Sequence, residues 1–428
     1  MPTVQSKDQQ NDEEEFQLSP EKKRTVFLIN THMAVNMALS ILTFNTRTLL
    51  LKQLTNNDTT LMAKYLSNWA MVIGGWEFLF NPTIGRLSDT YGRKFWMTLS
   101  PVICTFLKGL VLINPSLFTI SLEKIVCDGL RVICGTTQCG AALTDIYGTN
   151  PKTLAKAYGR LLAGAGISIL ASPVIAGFLE QRFTWRGPYA VTVALAGLLS
   201  FFDYFYLEET VNDENRRPYK GFSSPFDVFK LFTMDKNLAI ISSSQILNYI
   251  GEAKNLGAVN QLYQMEQLGW KTRSMSLFTS MVGLGLFMNG PVSKFTLTTF
   301  GSFGHTTFTN MISIIEMLMK GYITTTTSMW LGQCLGLFGA SRTLAMKAQS
   351  TQLAMKNGFG KGEYQGLWSN LRALCGFLAP FVWGNLYISG TTRGNPGLPY
   401  KSYAVILLLS ELLNQWLRMR YDNDSKNQ

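Results

Sequence analysis

Apolar positions gather along the chain into twelve stretches separated by polar breaks. Six lie at 26–51, 61–84, 95–113, 117–146, 153–179 and 188–207. Six more lie at 237–263, 274–295, 306–323, 327–349, 364–388 and 402–421. Each is close to the roughly twenty residues an α-helix needs to cross the hydrocarbon core of a bilayer. The pattern predicts an all-α, multi-pass membrane protein of twelve transmembrane helices in two sets of six. Residues 1–25, polar and acidic around Asp12 to Glu15, read as a disordered cytosolic tail. Residues 26–207 form the first six-helix bundle and 208–236 a cytosolic linker containing Arg216-Arg217-Pro218. Residues 237–421 form the second bundle, and 422–428 a short cytosolic tail.

Composition agrees and adds a constraint. Only 15% of the 428 residues are charged, against about 25% in an average soluble domain, too few to cover a soluble surface of this size. The mean hydropathy is nevertheless only +0.10, so several helices must carry polar residues on one face, and those faces should line something wet. The net charge of +11 fits an excess of Lys and Arg on cytosolic segments rather than nucleic-acid binding. That bias places both termini in the cytosol. The sequon Asn57-Asp58-Thr59 then falls in the first outside loop.

Catalytic chemistry is not indicated. The six cysteines lie in apolar stretches without a CxxC pair, and His32 and His305 have no second ligand at helical spacing. Neither a metal site nor a cofactor is expected. No nucleophile, phosphate loop or paired-acid motif marks an enzyme.

The informative residues are the ionisable ones inside helices, where each costs about 2.5–3.5 kcal/mol at the bilayer centre and persists by facing water or a partner. On the fourth predicted helix Lys124, Asp128, Arg131, Gly135 and Gln138 form one stripe, with Asp128 a turn from Arg131. The pair reads equally well as a switch that changes partners and as a static ion pair pinning the helix. On the seventh, Gln245, Asn248, Glu252 and Asn255 share a face, with Lys254 pointing away. Glu77, with Asn81 one turn on, marks the second helix, and Arg342 and Arg372 are the cations of the second half. Asn36, Glu77, Arg131, Gln138, Gln245, Asn248, Glu252, Asn255 and Arg372 are therefore the expected cavity lining. Glu77, Asp128 and Glu252 are the expected carriers of a coupling proton. His32 reads as a packing residue.

Between the second and third helices stands Gly85-Arg86-Leu87-Ser88-Asp89-Thr90-Tyr91-Gly92-Arg93-Lys94, which resembles the G-x-L-[SA]-D-x-x-G-R-[RK] signature of the major facilitator superfamily. Arg131-x-x-x-Gly135, Trp185-Arg186-Gly187-Pro188-Tyr189, Glu209-Thr210 and Gly362-Glu363-Tyr364-Gln365-Gly366 resemble further motifs of that family, closest in pattern to its tetracycline-exporter-like drug/proton antiporters. The resemblance implies two pseudo-symmetric six-helix bundles with a solute site between them. It also implies a conformational latch made by Gly85, Asp89, Gly92, Arg93 and Lys94, with Asp89 set against the N-terminus of the eleventh helix. Lys108, Asp203, Glu316 and Glu411 fall on helices which this fold puts at the periphery, and read as structural. The counterpart loop 290–305 lacks the Asp and the Arg-Lys pair, so that half should close differently. The antiporter motif on the fifth helix is imperfect, with Ser172 and Ala176 in place of glycines. Helix 1 lacks the exporters' aspartate, so any proton coupling must use another acid.

The expected function is secondary active transport of a small polar or amphipathic organic solute by alternating access, coupled to protons and carried out by a monomer. A passive facilitator and a non-transporting receptor or scaffold on the same fold are the alternatives. Solute identity is not legible.

Overall fold

The computed structural model describes residues 19–426 apart from 148–150, 212–215, 217–220, 222–223 and 360. The described residues are nearly all helical. In the first half, α1 (Pro20–Leu42) and α2 (Phe44–Leu54) join at Thr43 into one pass, followed by α3 (Thr59–Tyr91) and α4 (Lys94–Ile113). The fourth pass is α5 (Leu117–Leu130), a π-helical turn (Arg131–Thr136) and α6 (Thr137–Tyr147). α7 (Pro151–Phe183) and α8 (Arg186–Tyr206) complete the half. A 3₁₀ turn (Pro225–Phe229) and α9 (Lys230–Thr233) occupy the linker. The second half opens with α10 (Lys236–Ile250) and α11 (Ala253–Leu262), which together with a π turn (Tyr263–Gln267) make the seventh pass. α12 (Thr272–Tyr322) is divided into two passes at Gly301, whose φ of 67° is not helical. The tenth pass is α13 (Thr326–Gly339) and α14 (Arg342–Lys356), and α15 (Lys361–Thr392) and α16 (Leu398–Lys426) follow. The described helices thus trace twelve passes, six in each half.

Local chemistry sets the helix starts. Side chains of Asp58, Ser116 and Asp235 accept from Leu61, Thr119 and Leu238 backbone N–H groups, and Ser116 and Thr119 form a reciprocal capping box. Ser19 likewise caps α1, so the tail expected over 1–25 is helical from Pro20; its residues 1–18 lie outside the described ones. The short tail expected over 422–428 is likewise helical as far as Lys426, the end of α16; residues 427–428 lie outside the described ones.

Six segments are long and apolar enough to cross a membrane by length and composition: Pro20–Leu54, Lys94–Ile113, Ala163–Phe183, Arg186–Tyr206, Thr272–Tyr322 and Gly366–Thr392. The rest are diluted by polar residues, as the low hydropathy requires. Outward faces carry large apolar side chains such as Phe106 and Phe118, 71% and 72% exposed, which a membrane protein turns to lipid.

The halves meet along two helix pairs, α3 with α15 and α7 with α12. Both contacts are made by glycines. A Cβ on Gly74 would run into the Gly376 backbone, and one on Gly283 would meet the Leu170 and Ile169 backbone. Gly74→Ala is accordingly expected to cost about 1–3 kcal/mol by overpacking and to slow any motion of one half against the other. Gly109→Ala, which points into open space, is the control. Equal thermal unfolding of the two variants would contradict this.

At the end of the bundle away from the linker, one apolar cluster runs through both halves, taking in Leu51, Met62 and Trp69 with Val259, Tyr387 and Leu407. At the linker end the clusters are largely separate. One belongs wholly to the first half, and the other joins the linker residues Val228 and Leu231 to the second half, with Phe78 as the first half's member.

Candidate functional site

A polar seam ties the halves together at the far end. Thr48 donates to Gln261 at 2.8 Å, Gln261 donates to Asn45 at 3.1 Å, and Lys52 pairs with Glu266 at 2.7 Å. Glu180 accepts from Thr46 in its own half at 3.0 Å and from Thr272 in the other at 2.8 Å. None of these residues was singled out from the sequence, because each is polar in the ordinary way of a helix end. Only the pairing across the halves gives them a role.

At the linker end the signature loop is tied to its own half. Asp89 pairs with Arg93 at 2.5 Å, and Arg93 also reaches Asp145 at 3.2 Å and the hydroxyl of Ser88. Glu209 accepts the backbone N–H groups of Arg93 at 2.8 Å and Lys94 at 3.1 Å, and Gly92 turns at φ 98° directly against its carboxylate. Gly85 lies within α3. The signature loop is thus held within the first half, where among the described residues the partner of Asp89 is Arg93. The side chains of Glu363 and Gln365 at the start of the eleventh helix lie outside the described ones. In the second half the expected loop 290–305 is helix up to a single corner at Gly301. Thr296 and His305 bond across that corner at 2.6 Å, and His305 Nε2 reaches the Ser341 carbonyl at 3.2 Å. A histidine staple stands where the first half has a charged loop.

Midway along the bundle the charges come together. The seventh pass breaks at Gly251-Glu252, between α10 and α11. The continuous helix expected over 237–263, and with it the single polar face from Gln245 to Asn255, is corrected at that point. Gln245 donates to Ser350 at 3.0 Å and Asn248 to Ser410 at 2.6 Å, both buried within the second half. Asn255 instead turns back to the Tyr249 carbonyl at 2.7 Å, satisfying backbone that the break exposes. Glu252, freed at the break, accepts from Arg372 Nε at 2.8 Å. The Arg372 side chain is 49% exposed although it sits between helices, and it also interacts with Glu77 of the first half. Glu252 and Arg372 thus pair within the second half, and Arg372 also lies within the field of Glu77 on the first half's second pass. The side chain of Lys254 lies outside those described.

In the first half, the π turn begins at Arg131 and offsets the stripe expected of a regular fourth helix. Asp128 keeps its neighbours: it pairs with Lys124, accepts from Ser40 at 2.9 Å and stands 3.8 Å from Arg131. Among the described residues Arg131 otherwise reaches the Met37 sulfur, at 3.4 Å. Asn36 packs on Gly135 and donates to His32 at 3.3 Å, and His32 bonds Asp203 at 2.8 Å. Gln138 is fully buried.

A second charged group escaped the sequence reading. Glu123 is completely buried, paired with Arg47 at 2.7 Å and Lys108 at 2.8 Å, and Lys108 also donates to Thr43 at 2.7 Å. The signal available was that Glu123 lies one residue off the Lys124 stripe, facing the third helix. Lys108, Asp203, Glu316 and Glu411 each have partners inside their own half.

A hollow of about 670 Å³ lies apart from these charges, lined by Leu170, Val174, Leu277, Met281 and Trp330. It is apolar, lined by residues of α7, α12 and α13, and so offers little to a polar solute. Among the described residues no group of three or more His, Cys, Asp or Glu side chains could hold a metal ion.

Comparison with known proteins agrees with this architecture. Residues 27–380 match the family model described as Major Facilitator Superfamily. The chain is 23% identical over 346 residues to the class C tetracycline resistance protein of Escherichia coli, covering 78% of this chain and 82% of that one. It is also 23% identical over 324 residues to the Hippocampus abundant transcript-like protein 1 of Bos taurus, covering 73% of this chain but 62% of that protein's length. Among solved structures, the nucleoside transporter NupG superposes with a TM-score of 0.71 at 12% identity, covering 92% of this chain and 99% of that one. The human organic anion transporter MFSD10 (TETRAN) gives 0.67 at 14% identity, covering 93% and 100%. Identities this low speak for the fold alone.

Proposed function

The chain belongs to the major facilitator superfamily, and from that premise we propose that it carries a small polar or amphipathic organic solute across a membrane by alternating access, coupled to protons. The family is one of transporters, not enzymes, and the protein is an integral multi-pass one. The linker end faces the cytosol, with both termini, because the Lys and Arg excess lies there. The protein works as a monomer, since each chain supplies both halves of the site.

One observation carries this reading: Arg372 is paired with the acid of its own half, Glu252 at 2.8 Å, and feels the charge of Glu77 of the other. A proton arriving on Glu252 removes the charge that holds Arg372, so protonation and the relative position of the halves share one residue. That is the differential interaction a coupled transporter requires. The far-end seam and the self-contained signature loop support a chain resting with its linker end the looser one. The glycine contacts of α3 with α15 and α7 with α12 supply close-packed surfaces about which the halves rock.

Uptake into sealed proteoliposomes, with and without an imposed pH gradient, tests the proposal across a panel of radiolabelled solutes. Gradient-driven flux is expected. Gradient-independent flux would make the protein a passive facilitator, and no flux of any solute would favour a receptor or scaffold on the same fold. Asp89→Asn, which loses the ion pair to Arg93, is expected to raise maleimide labelling of a Ser369→Cys variant from the linker side. Unchanged labelling would remove Asp89 from the latch.

A further inference from the structure

Around Glu252 the second half carries more positive than negative charge. Lys347 of α14 lies over the Trp368 ring of α15, its Nζ 3.8 Å from the ring centroid, and interacts electrostatically with Arg372. Arg342, five residues earlier on α14, donates to the Tyr403 hydroxyl at 3.0 Å, and Tyr403 also lies within the field of Glu252. Among the described residues, three cations, Arg342, Lys347 and Arg372, stand in this region with two carboxylates, Glu252 and Glu77. One positive charge is left over, in a region where an uncompensated charge is costly. Lys347 rests on an aromatic face in place of a carboxylate.

The hydrogen-bond donors are also in surplus. The Nε of Arg342, the Nε1 of Trp368 and the hydroxyl of Tyr249 are all buried without a hydrogen-bond partner. Tyr249 packs edge-on against Trp368 at 5.5 Å between ring centroids, so two of these donors belong to the aromatic shelf beneath Lys347. Buried donors left unpaired cost about 1–3 kcal/mol each. A group that brings both a negative charge and several acceptor lone pairs would relieve the charge and the donors together. A carboxylate does so, and the ring faces of Trp368 and Tyr249 suit an apolar substituent on it.

We propose that this part of the second half, Arg342, Lys347 and Arg372 beside Trp368 and Tyr249, binds the carboxylate of a small organic monoanion that carries an apolar portion. The inference rests on the transport reading above and names its substrate class. Lys347 supplies the charge without a fixed partner, and Arg372 exchanges part of its bond to Glu252 for the incoming anion. The aromatic shelf receives the apolar portion.

The test uses purified full-length protein and three probes of one shape and different charge: benzoate, benzamide and benzylamine. Benzoate is expected to raise the unfolding temperature in a saturable way, and the other two are not. Lys347→Gln should weaken benzoate binding about tenfold, roughly 1.4 kcal/mol. Lys347→Arg should restore most of it, which a merely structural role for the lysine would not explain. Lys236→Gln, at an exposed site on the linker end, should leave binding unchanged. Absence of benzoate stabilisation, stabilisation by benzamide or benzylamine as great as by benzoate, or wild-type affinity in Lys347→Gln would each overturn the anion site. Flux of a cationic or neutral solute in the proteoliposome assay would overturn it too while leaving the transport reading intact, whereas lack of all flux would remove both.

Discussion

Glu123→Ala is expected to be the most damaging single substitution in the first half, destabilising the protein by about 3–5 kcal/mol. Glu123 is completely buried, and its two oxygens hold Arg47 and Lys108, which are themselves 3% and 1% exposed in their side chains. Arg47 belongs to the first pass, Lys108 to the third and Glu123 to the fourth, and the Tyr189 hydroxyl of the sixth lies 3.5 Å from Glu123. Removing the carboxylate leaves two cations facing each other without a counter-ion in a region that water does not reach. The expected result is low recovery of folded protein and a large fall in unfolding temperature by size-exclusion and scanning fluorimetry. Glu123→Gln should fail nearly as badly, because the amide keeps the shape but not the charge. If the glutamine variant unfolds at the wild-type temperature, charge compensation is not what holds these four passes together.

The second large effect is expected at Glu252. Glu252→Gln should cut gradient-driven transport at least tenfold, about 1.4 kcal/mol in the barrier, and should leave the residual flux insensitive to the pH gradient. The reason is geometric. Glu252 sits where α10 stops and α11 starts, so its carboxylate is not committed to a helix face, and Arg372 is the partner that its charge holds. Glu77, Lys347, Tyr249, Tyr403 and Cys375 also feel this cluster, but among the described residues Glu252 is the carboxylate paired directly with Arg372. Asp128→Asn is expected to lower coupled transport by a similar factor. Asp128, however, is held by Lys124 and Ser40 as well as lying near Arg131, so its loss should also depress the unfolding temperature. Wild-type pH dependence in either variant would take that acid out of the coupling role.

How much of the site was readable before the structure differs from residue to residue. Glu77, Glu252 and Arg372 stood out because an ionisable side chain inside an apolar run is costly wherever it points. The sequence could not say that Glu252 pairs with Arg372, or that Arg372 feels Glu77. The wheel that grouped Glu252 with Gln245 and Asn248 assumed an unbroken helix, and the break at Gly251-Glu252 separates them. The two amides serve the packing of the second half through Ser350 and Ser410, while the acid holds Arg372. Glu123 shows the opposite failure. It lay among residues recognised as polar, and its importance comes from Arg47 and Lys108, some 76 and 15 positions away along the chain, a pairing that no local spacing encodes. The signature loop was plain as a motif, yet the pairing of Asp89 with Arg93 within it is visible only once the loop is folded.

The sequence by itself determined that this chain crosses a bilayer twelve times in two sets of six, because apolar runs of helix-spanning length leave the backbone no other way to satisfy its hydrogen bonds in lipid. It also determined the family, through a loop whose glycines and charges are arranged for a tight, basic turn. Only the tertiary structure decided which charges neutralise one another, where the seventh pass breaks, and which end of the bundle is sealed. Those outcomes depend on contacts between passes far apart in the chain, where a charge is stable only if another helix brings its counter-ion to the same depth.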